Sequence, residues 1–496
     1  MNTSTWIGRG VTKFLPAAKG MVGHKDTANS HGEVAVLKGS HVAAPAKGQR
    51  SCAERMDATF SLKTEAMSPR MLRRTYELLK AIIDPRVSEV EGGRRAEAFA
   101  ALYKDATIDR RKDVWLLMSE MFVADQKKVK EAQAKLAAAL GTADEAVAEV
   151  HFRRETVSPR RRLLQRFSVY PEGVQFLVDL RAELQAALKT DKRLQALDVE
   201  MEYMFSTWFD VGFLELRRMS WNSPASLIER LIQYEAVHDI KSWADVKNRL
   251  DSDRRCYGFF HPRLPEIPLI FVEVALVDEI ASDIVPLLDE LGAEADLQKA
   301  TTAIFYSISN TQVGLRGVSF GDSLIKAVVE KLKKEFPRLK VFATLSPIPG
   351  YRTWLEKNIA TLLEKLEPKE RQALGRAVGF EPPAATHFLS ALDAPLQLSE
   401  KSLVRHYLMR FAAEYLGRLN AKGHPTDPVA RFHLGNGARV DRLNWAGDPS
   451  SKGVKQSYGL MVNYLYDLKR LDKNRALLAD GEVPVSSGIE DLMFKS

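Results

Sequence analysis

Cysteine is nearly absent from this chain: 496 residues contain only Cys52 and Cys256. Two thiols build no disulfide framework and carry no metal-site spacing, so a reducing, cytoplasmic setting is the expectation. Runs of about 18 or more apolar residues are also missing, which leaves no segment expected to satisfy its backbone across a bilayer and makes a membrane partner unexpected. Acids are scarce at the start. Residues 1–50 hold seven Lys or Arg against Asp26 and Glu33, which accounts for +5 of the formal +8. The nearly balanced remainder lacks the concentrated positive charge of a phosphate-backbone binder, so nucleic acid is not an expected partner. The run Arg160-Arg161-Arg162 reads as a solvated helix face.

What is present is an ordinary globular composition, 45% hydrophobic and 27% charged, over a length that accommodates two or three domains. Residues 1–58, rich in Gly, Ala, Ser, Lys and His without periodicity, read as a disordered tail. Their acid-free beginning faintly resembles an organelle presequence but is poor in Arg. Residues 59–192 read as a helical domain for packing or oligomerisation, with single apolar stripes such as Leu72, Tyr76, Leu79, Ile83 and Leu177, Leu180, Leu184, Leu188. Residues 193–496 read as a mixed α/β catalytic domain. There a helix over 223–237, opened by a Ser cap and a first-turn Pro, gives way to β-rich runs at 269–277, 302–308, 339–345, 429–434, 438–444 and 459–466. A mainly helical block at about 351–425 separates two strand-rich regions and is expected to fold over the site. The fold class expected is therefore α+β.

Three stretches carry candidate chemistry. A β-rich run ending at Ser309 leads through Gln312-Val-Gly-Leu-Arg-Gly-Val-Ser-Phe-Gly321 into a helix with apolar positions Leu324, Ile325, Val328, Val329 and Leu332. Such a turn offers free backbone N–H groups and the positive end of a helix dipole to a pyrophosphate, and Arg316 adds charge. The order Arg316-Gly317-Val318-Ser319-Phe320-Gly321 resembles the loop by which GNAT-type acyltransferases hold the pyrophosphate of acyl-CoA, with Ser319 where a glycine is usual. Next, Ser346-Pro347-Ile348-Pro349-Gly350 puts Ser346 on a stiff loop at a strand's C-terminal end, a location that favours small-molecule sites, although spacing alone favours a plain Ser-Pro turn. Finally, Arg431-Phe-His433-Leu-Gly-Asn436-Gly437 reads as a strand and hairpin turn, with His433 either structural or a poised acid–base. In the run 459–466, period two puts Tyr464 and Tyr466 on one face, the first as aromatic core and the second with a phenol free to hydrogen-bond. No Gly-x-Ser-x-Gly elbow surrounds Ser346, which argues against a serine hydrolase.

Taken together the chain resembles the malonyl-CoA decarboxylase family. The carriers are Cys256-Tyr257 with His261-Pro262, Pro268-Leu-Ile-Phe-Val-Glu273, Phe305-Tyr-Ser-Ile-Ser309, Gly314-Leu-Arg-Gly317, Phe336-Pro337, Leu345-Ser-Pro-Ile-Pro-Gly350, Phe432-His-Leu434 with Asn436-Gly437, and Asn444-Trp445. The resemblance runs from about 68 to 466 and implies a helical domain that forms a homotetramer and a GNAT-like catalytic domain that binds malonyl-CoA. It implies that Arg316, Gly317, Val318, Ser319, Phe320, Gly321 and Asp322 contact CoA, that Ser346 and His433 form the catalytic pair, and that Tyr466 is an active-site tyrosine. At Ser319 some members carry a catalytic-site glutamate. The Ser-Lys-Leu peroxisomal address of some relatives is not found at Phe494-Lys495-Ser496. Decarboxylation of a malonyl thioester leaves an enolate that hydrogen-bond donors stabilise, so no metal or other cofactor is expected. An acyl-CoA-dependent N-acyltransferase and a non-catalytic acyl-CoA-sensing scaffold remain as alternatives.

Overall fold

In a computed structural model, Ala43, Ala46 and residues 48–494 are described, apart from 293–294 and 319–323. The tail expected over 1–58 lies mostly outside them, but its end is ordered. Ser51 caps a helix, Cys52–Asp57, in a reciprocal capping box with Glu54. Its inner face, Cys52 and Met56, is buried, and Arg55 pairs with Asp113 through Nη1 and Nη2 at 2.6 and 2.7 Å. A six-residue helix shows too little periodicity to be found by eye, and its stability comes from these contacts rather than from propensity.

Helices then continue to Trp208, past the boundary expected at 192: Pro69–Ile82, Glu89–Lys104, Ile108–Glu120, Gln126–Ala139, Glu145–Thr156, Pro159–Phe167, Gly173–Ala187 and Gln195–Trp208. Ser68 and Ser88 cap two of them through their hydroxyls. The solvated face expected for Arg160-Arg161-Arg162 is wrong for its first residue. Arg160 is fully buried and donates to the carbonyls of Met118, Ser119 and Ala196. Two of those carbonyls belong to the last turn of Ile108–Glu120, where the helix has no donor of its own to offer them.

The second region is built on one mixed sheet. Its strands are β1 (Glu215–Met219), β2 (Arg254–His261), β3 (Leu264–Val277), β4 (Thr302–Asn310), β5 (Val341–Thr344), β6 (Ser346–Pro347), β7 (Arg439–Asn444) and β8 (Met461–Leu465). The order is β1-β2-β3-β4-β5-β8-β6, with β7 also on β8. All pairs are antiparallel except β4 with β5, which run parallel from Thr302 opposite Val341 to Phe305 opposite Thr344. Beyond Phe305, whose carbonyl takes the Leu345 N–H at 3.0 Å, β4 and β5 part. The helix Leu324–Glu335 makes the crossover between them and buries all five expected apolar positions. β1 and β2 are not among the expected runs, because β2 is buried along nearly its whole length and so lacks the alternation of a half-exposed strand. The helix expected from a Ser223 cap runs instead over Ala225–Tyr234, and the Ser223 hydroxyl accepts from the Ser220 N–H.

Two other expectations change. The run 429–434 is a helix, Pro428–Gly435, not a strand. Asp427 accepts from the N–H groups of Val429 and Ala430 at 2.8 and 3.0 Å, and Pro428 pre-sets the first helical φ. Asn436-Gly437 is accordingly the stop of that helix and not a hairpin turn. Gly437 is left-handed at φ +85°, and a Cβ on it would lie 2.7 Å from the Leu471 carbonyl. The block at 351–425 is helical as expected, with Tyr351–Glu364, Pro368–Val378, Ala385–Ser390 and Leu403–Gly417. It packs behind the Pro428–Gly435 helix, and none of its residues lines the cavity on which the candidate site sits.

Both cysteines are buried, and burial raises both thiol pKa values; next to Cys52 the Glu120 carboxylate adds to the effect. Neither thiol is expected to react with an aromatic disulfide reagent at pH 8 in the native protein, and both are expected to do so in denaturant. Labelling of one equivalent under native conditions would contradict this burial.

Candidate active site

Ser346, His433 and Tyr466, far apart in sequence, meet in one hydrogen-bonded chain. Ser346 Oγ lies 3.2 Å from His433 Nε2, and His433 Nδ1 lies 2.7 Å from the Tyr466 hydroxyl. Ser346 Oγ also donates to Thr344 Oγ1 at 2.9 Å. Each member sits on a different element. β6 pairs Ser346 with Val462 of β8, the Pro428–Gly435 helix carries His433, and Tyr466 succeeds β8 with its N–H on the Phe342 carbonyl of β5 at 2.8 Å. Two tyrosines two positions apart, Tyr464 and Tyr466, do share a face. Tyr464 stacks on the imidazole, with ring centroids 4.6 Å apart, and Tyr466 reaches its nitrogen.

The imidazole is 3% exposed. Burial alone pushes its pKa down to about 3, so His433 is neutral at pH 7. Burial likewise pushes the Tyr466 phenol well up, which keeps it protonated. The helix that carries His433 is held by Asp427, itself buried. Besides capping that helix, its carboxylate accepts from the Tyr415 hydroxyl at 3.2 Å and interacts with the Gly350 N–H at the end of the Ser346 loop.

Ser346 and His433 lie on the wall of a cavity of about 450 Å³. The parted end of β4, from Phe305 to Ile308, forms another wall, together with Ile270, Val318 and Leu324. Arg431 brings a positive charge to this lining, and Ser307 turns its hydroxyl away to the buried Glu235 carboxylate at 2.8 Å. Asn436 also faces the cavity. Its Nδ2 donates to the Phe432 carbonyl at 2.7 Å, while its buried Oδ1 has no partner among the described residues. Among the same residues no group of three or more His, Cys, Asp or Glu is arranged to hold a metal ion, and no helix is long and apolar enough to cross a membrane.

Of the expected CoA loop, Arg316 is exposed, Gly317 is left-handed at φ +86°, and Val318 is buried against the cavity. Ser319, Phe320, Gly321 and Asp322 lie outside the described residues. Sequence reasoning missed Thr344, Asp427 and Asn436. Thr344 had a signal, since it stands two residues before Ser346 on the same pleat. Asp427 had the signature of a cap before Pro428, masked by the strand-like alternation of residues 429–434.

The buried imidazole makes the fold sensitive to acid. His433 has an unfolded pKa near 6.5 and a lower one when folded, so between these values the unfolded chain binds more protons and stability falls as pH falls. From pH 6.5 to 5 the contribution is about 2 kcal/mol, at most about 1.4 kcal/mol per pH unit. His433→Gln removes it. Urea unfolding at both pH values is expected to show the wild type losing that much more stability than the variant, and parallel losses would contradict a neutral buried His433.

The comparisons with known proteins agree in family. Residues 212–496 match the family model "Malonyl-CoA decarboxylase C-terminal domain", and residues 122–209 match "Malonyl-CoA decarboxylase N-terminal domain". The chain is 34% identical over 455 residues to "Malonyl-CoA decarboxylase, mitochondrial" of Anser anser anser, covering 88% of this chain and 89% of that one. It is 38% identical over 348 residues to the protein of the same name from Rattus norvegicus, covering 66% and 69%. Among solved structures, malonyl-CoA decarboxylase from Agrobacterium vitis superimposes with a TM-score of 0.74 at 38% identity, over 85% of this chain and 100% of that one. The enzyme from Rhodopseudomonas palustris gives 0.73 at 38% identity, over 84% and 99%. A buried Ser, His and Tyr chain on a cavity beside a glycine-bearing loop is thus found on a polypeptide whose likeness spans both halves, and the chain belongs to the malonyl-CoA decarboxylase family.

Proposed function

We propose that this protein is a carboxy-lyase that converts malonyl-CoA to acetyl-CoA and CO₂, with Ser346, His433 and Tyr466 as its catalytic residues and Arg316–Asp322 as its CoA loop. The observation that carries this reading is the continuous Tyr466, His433, Ser346, Thr344 hydrogen-bond chain on the cavity wall. A protonated phenol has its proton to give to Nδ1, which places the ring proton on Nε2. Nε2–H then points at Ser346 Oγ, whose own proton goes to Thr344 Oγ1.

In this mechanism the Ser346 hydroxyl rotates its proton from Thr344 Oγ1 to the malonyl group, which it orients, while it accepts from the imidazole. The bond between the α-carbon and the carboxylate breaks, CO₂ leaves, and the electron pair is delocalised onto the thioester oxygen. A cavity walled by Ile270, Phe305, Ile308, Val429 and Phe432 favours this step, because a compact carboxylate loses more from desolvation than the dispersed charge of the transition state. His433 Nε2 gives its proton to the α-carbon. The thioester enolate is a much stronger base than an imidazolate or a phenolate, so a neutral imidazole suffices as donor, with the Tyr466 proton moving on to Nδ1. Solvent returns one proton per turnover, which balances the reaction.

Incubation with malonyl-CoA and no acceptor is expected to give CO₂ and acetyl-CoA in equal amounts. Release of neither, or turnover only with an added amine, would favour the scaffold or the acyltransferase. His433→Asn is expected to lower kcat by about 100-fold or more with CoA affinity nearly unchanged. A folded variant with wild-type kcat would remove His433 from the mechanism. Tyr466→Phe is expected to lower kcat less, since it loses the proton behind the imidazole but not the imidazole itself.

The helical region supports a homotetramer. In the antiparallel pair Gln126–Ala139 and Glu145–Thr156 only Ala132 is buried, while Leu140, Val147 and Val150 are 62, 72 and 58% exposed. Such a pair gains little by folding on its own surface and has an apolar edge to offer a second copy. Light scattering is expected to give four chains, and Val147→Asp with Val150→Asp to give fewer. A wild-type monomer would rule this out.

A further inference from the structure

The helical region reads as a packing module, yet one of its side chains reaches into the turn that opens the Gly-bearing loop. Arg181, on the helix Gly173–Ala187, is 1% exposed. Its Nη1 donates to the carbonyls of Gly314 and Arg316 at 2.8 and 3.0 Å. Its Nε donates to Asp198 Oδ1 at 2.8 Å and its Nη2 to Glu202 Oε2 at 2.9 Å, both on the helix Gln195–Trp208. The backbones touch as well, since a Cβ on Gly314 would stand 1.9 Å from the Val178 carbonyl oxygen.

These contacts affect an anion arriving at this loop in two ways. A trans peptide points its N–H opposite to its C=O. With the Arg316 carbonyl turned onto Arg181, the Gly317 N–H faces the other way, and no acceptor among the described residues meets it. The second effect is on charge. The Glu202 carboxylate comes within 3.3 Å of where a Gly317 Cβ would be, and Asp198 accepts from the same guanidinium. Left unpaired, both would repel a phosphate; the guanidinium bonded to each offsets that field.

We propose that Arg181 is a positioning residue for the nucleotide end of the substrate: it orients the Arg316–Gly317 peptide and screens Glu202, so that the loop accepts the diphosphate of an acyl-CoA. The helical region is then part of the substrate site and not only a platform for assembly. The proposal rests on the reading of Arg316–Asp322 as the CoA loop.

The test uses the full chain with two substrates, malonyl-CoA and malonyl-pantetheine, which share the thioester but differ in the nucleotide diphosphate. Wild type is expected to prefer malonyl-CoA. Arg181→Met is expected to raise KM for malonyl-CoA by roughly 10- to 100-fold, the effect of deleting a charged hydrogen-bond partner, and to collapse that preference by the same factor. Arg181→Lys, which keeps the charge but loses the planar fork, is expected to fall between. Glu202→Gln keeps the bonds to the two carbonyls while removing a negative charge, and is expected to lower KM for malonyl-CoA severalfold; it decides the matter if Arg181→Met does not fold. An equal loss on both substrates, or an unchanged KM in Glu202→Gln, would overturn the positioning role. A wild type with no preference between the substrates would instead overturn the reading of the loop, and the proposal with it.

Discussion

The site depends on one buried carboxylate. Asp427 has no exposed surface, and burial pushes its pKa up against the opposing pull of the donors around it. Those donors come from three places: the first turn of the His433 helix, the Tyr415 hydroxyl of the helical insertion, and the Gly350 N–H that closes the Ser346 loop. A carboxylate withdrawn from water to this degree is tolerated only when such donors are in place. The same condition sets the distance between the serine and the histidine. Gly350 permits the approach, for a Cβ there would meet the Tyr415 hydroxyl at 2.4 Å and Asp427 Oδ2 at 3.6 Å.

That constraint sets the electrical character of the site. The imidazole is stacked on Tyr464, bonded to Tyr466 and Ser346, and has no carboxylate among its contacts with the described residues. It is therefore unlike the histidine of a hydrolytic triad, where an acid raises its basicity. A neutral ring backed by a protonated phenol is suited to giving a proton to a strongly basic carbanion, not to activating a serine. Two further buried acids are held elsewhere: Glu235 by Ser307 and Ser309, and Glu273 by Arg249 at 2.9 Å.

The helical region and the sheet meet at the turn Val313–Leu315, where glycine allows helix backbone to press on loop backbone and Arg181 satisfies the carbonyls left over. The end of β4 from Phe305 onward and Ser346-Pro347 of β6 both line the cavity. The helical insertion, in contrast, braces the histidine helix through Tyr415 and contributes no residue to the cavity lining.

Local pattern carried the two-part architecture and five of the eight strands, because helix stripes and strand alternation are written over a few neighbouring positions. It drew notice to Ser346, His433 and Tyr466 but left structural readings open, and only the family resemblance implied a catalytic role for them. It misjudged Val429 to Leu434, where alternation of apolar and polar residues suits a strand, while the Asp427-Pro428 cap and the left-handed Gly437 select a helix. It also left Arg160 on the surface and Arg181 unremarked, since an arginine's burial depends on which carbonyls other helices bring to it. What the amino-acid sequence determined by itself was the inventory of reactive groups and the local stiffness that presents each one. The contact of Ser346 with His433, the neutrality of that imidazole and the turning of the Arg316 carbonyl onto Arg181 were decided only by tertiary structure, because each arises from groups far apart in the chain packed together away from water.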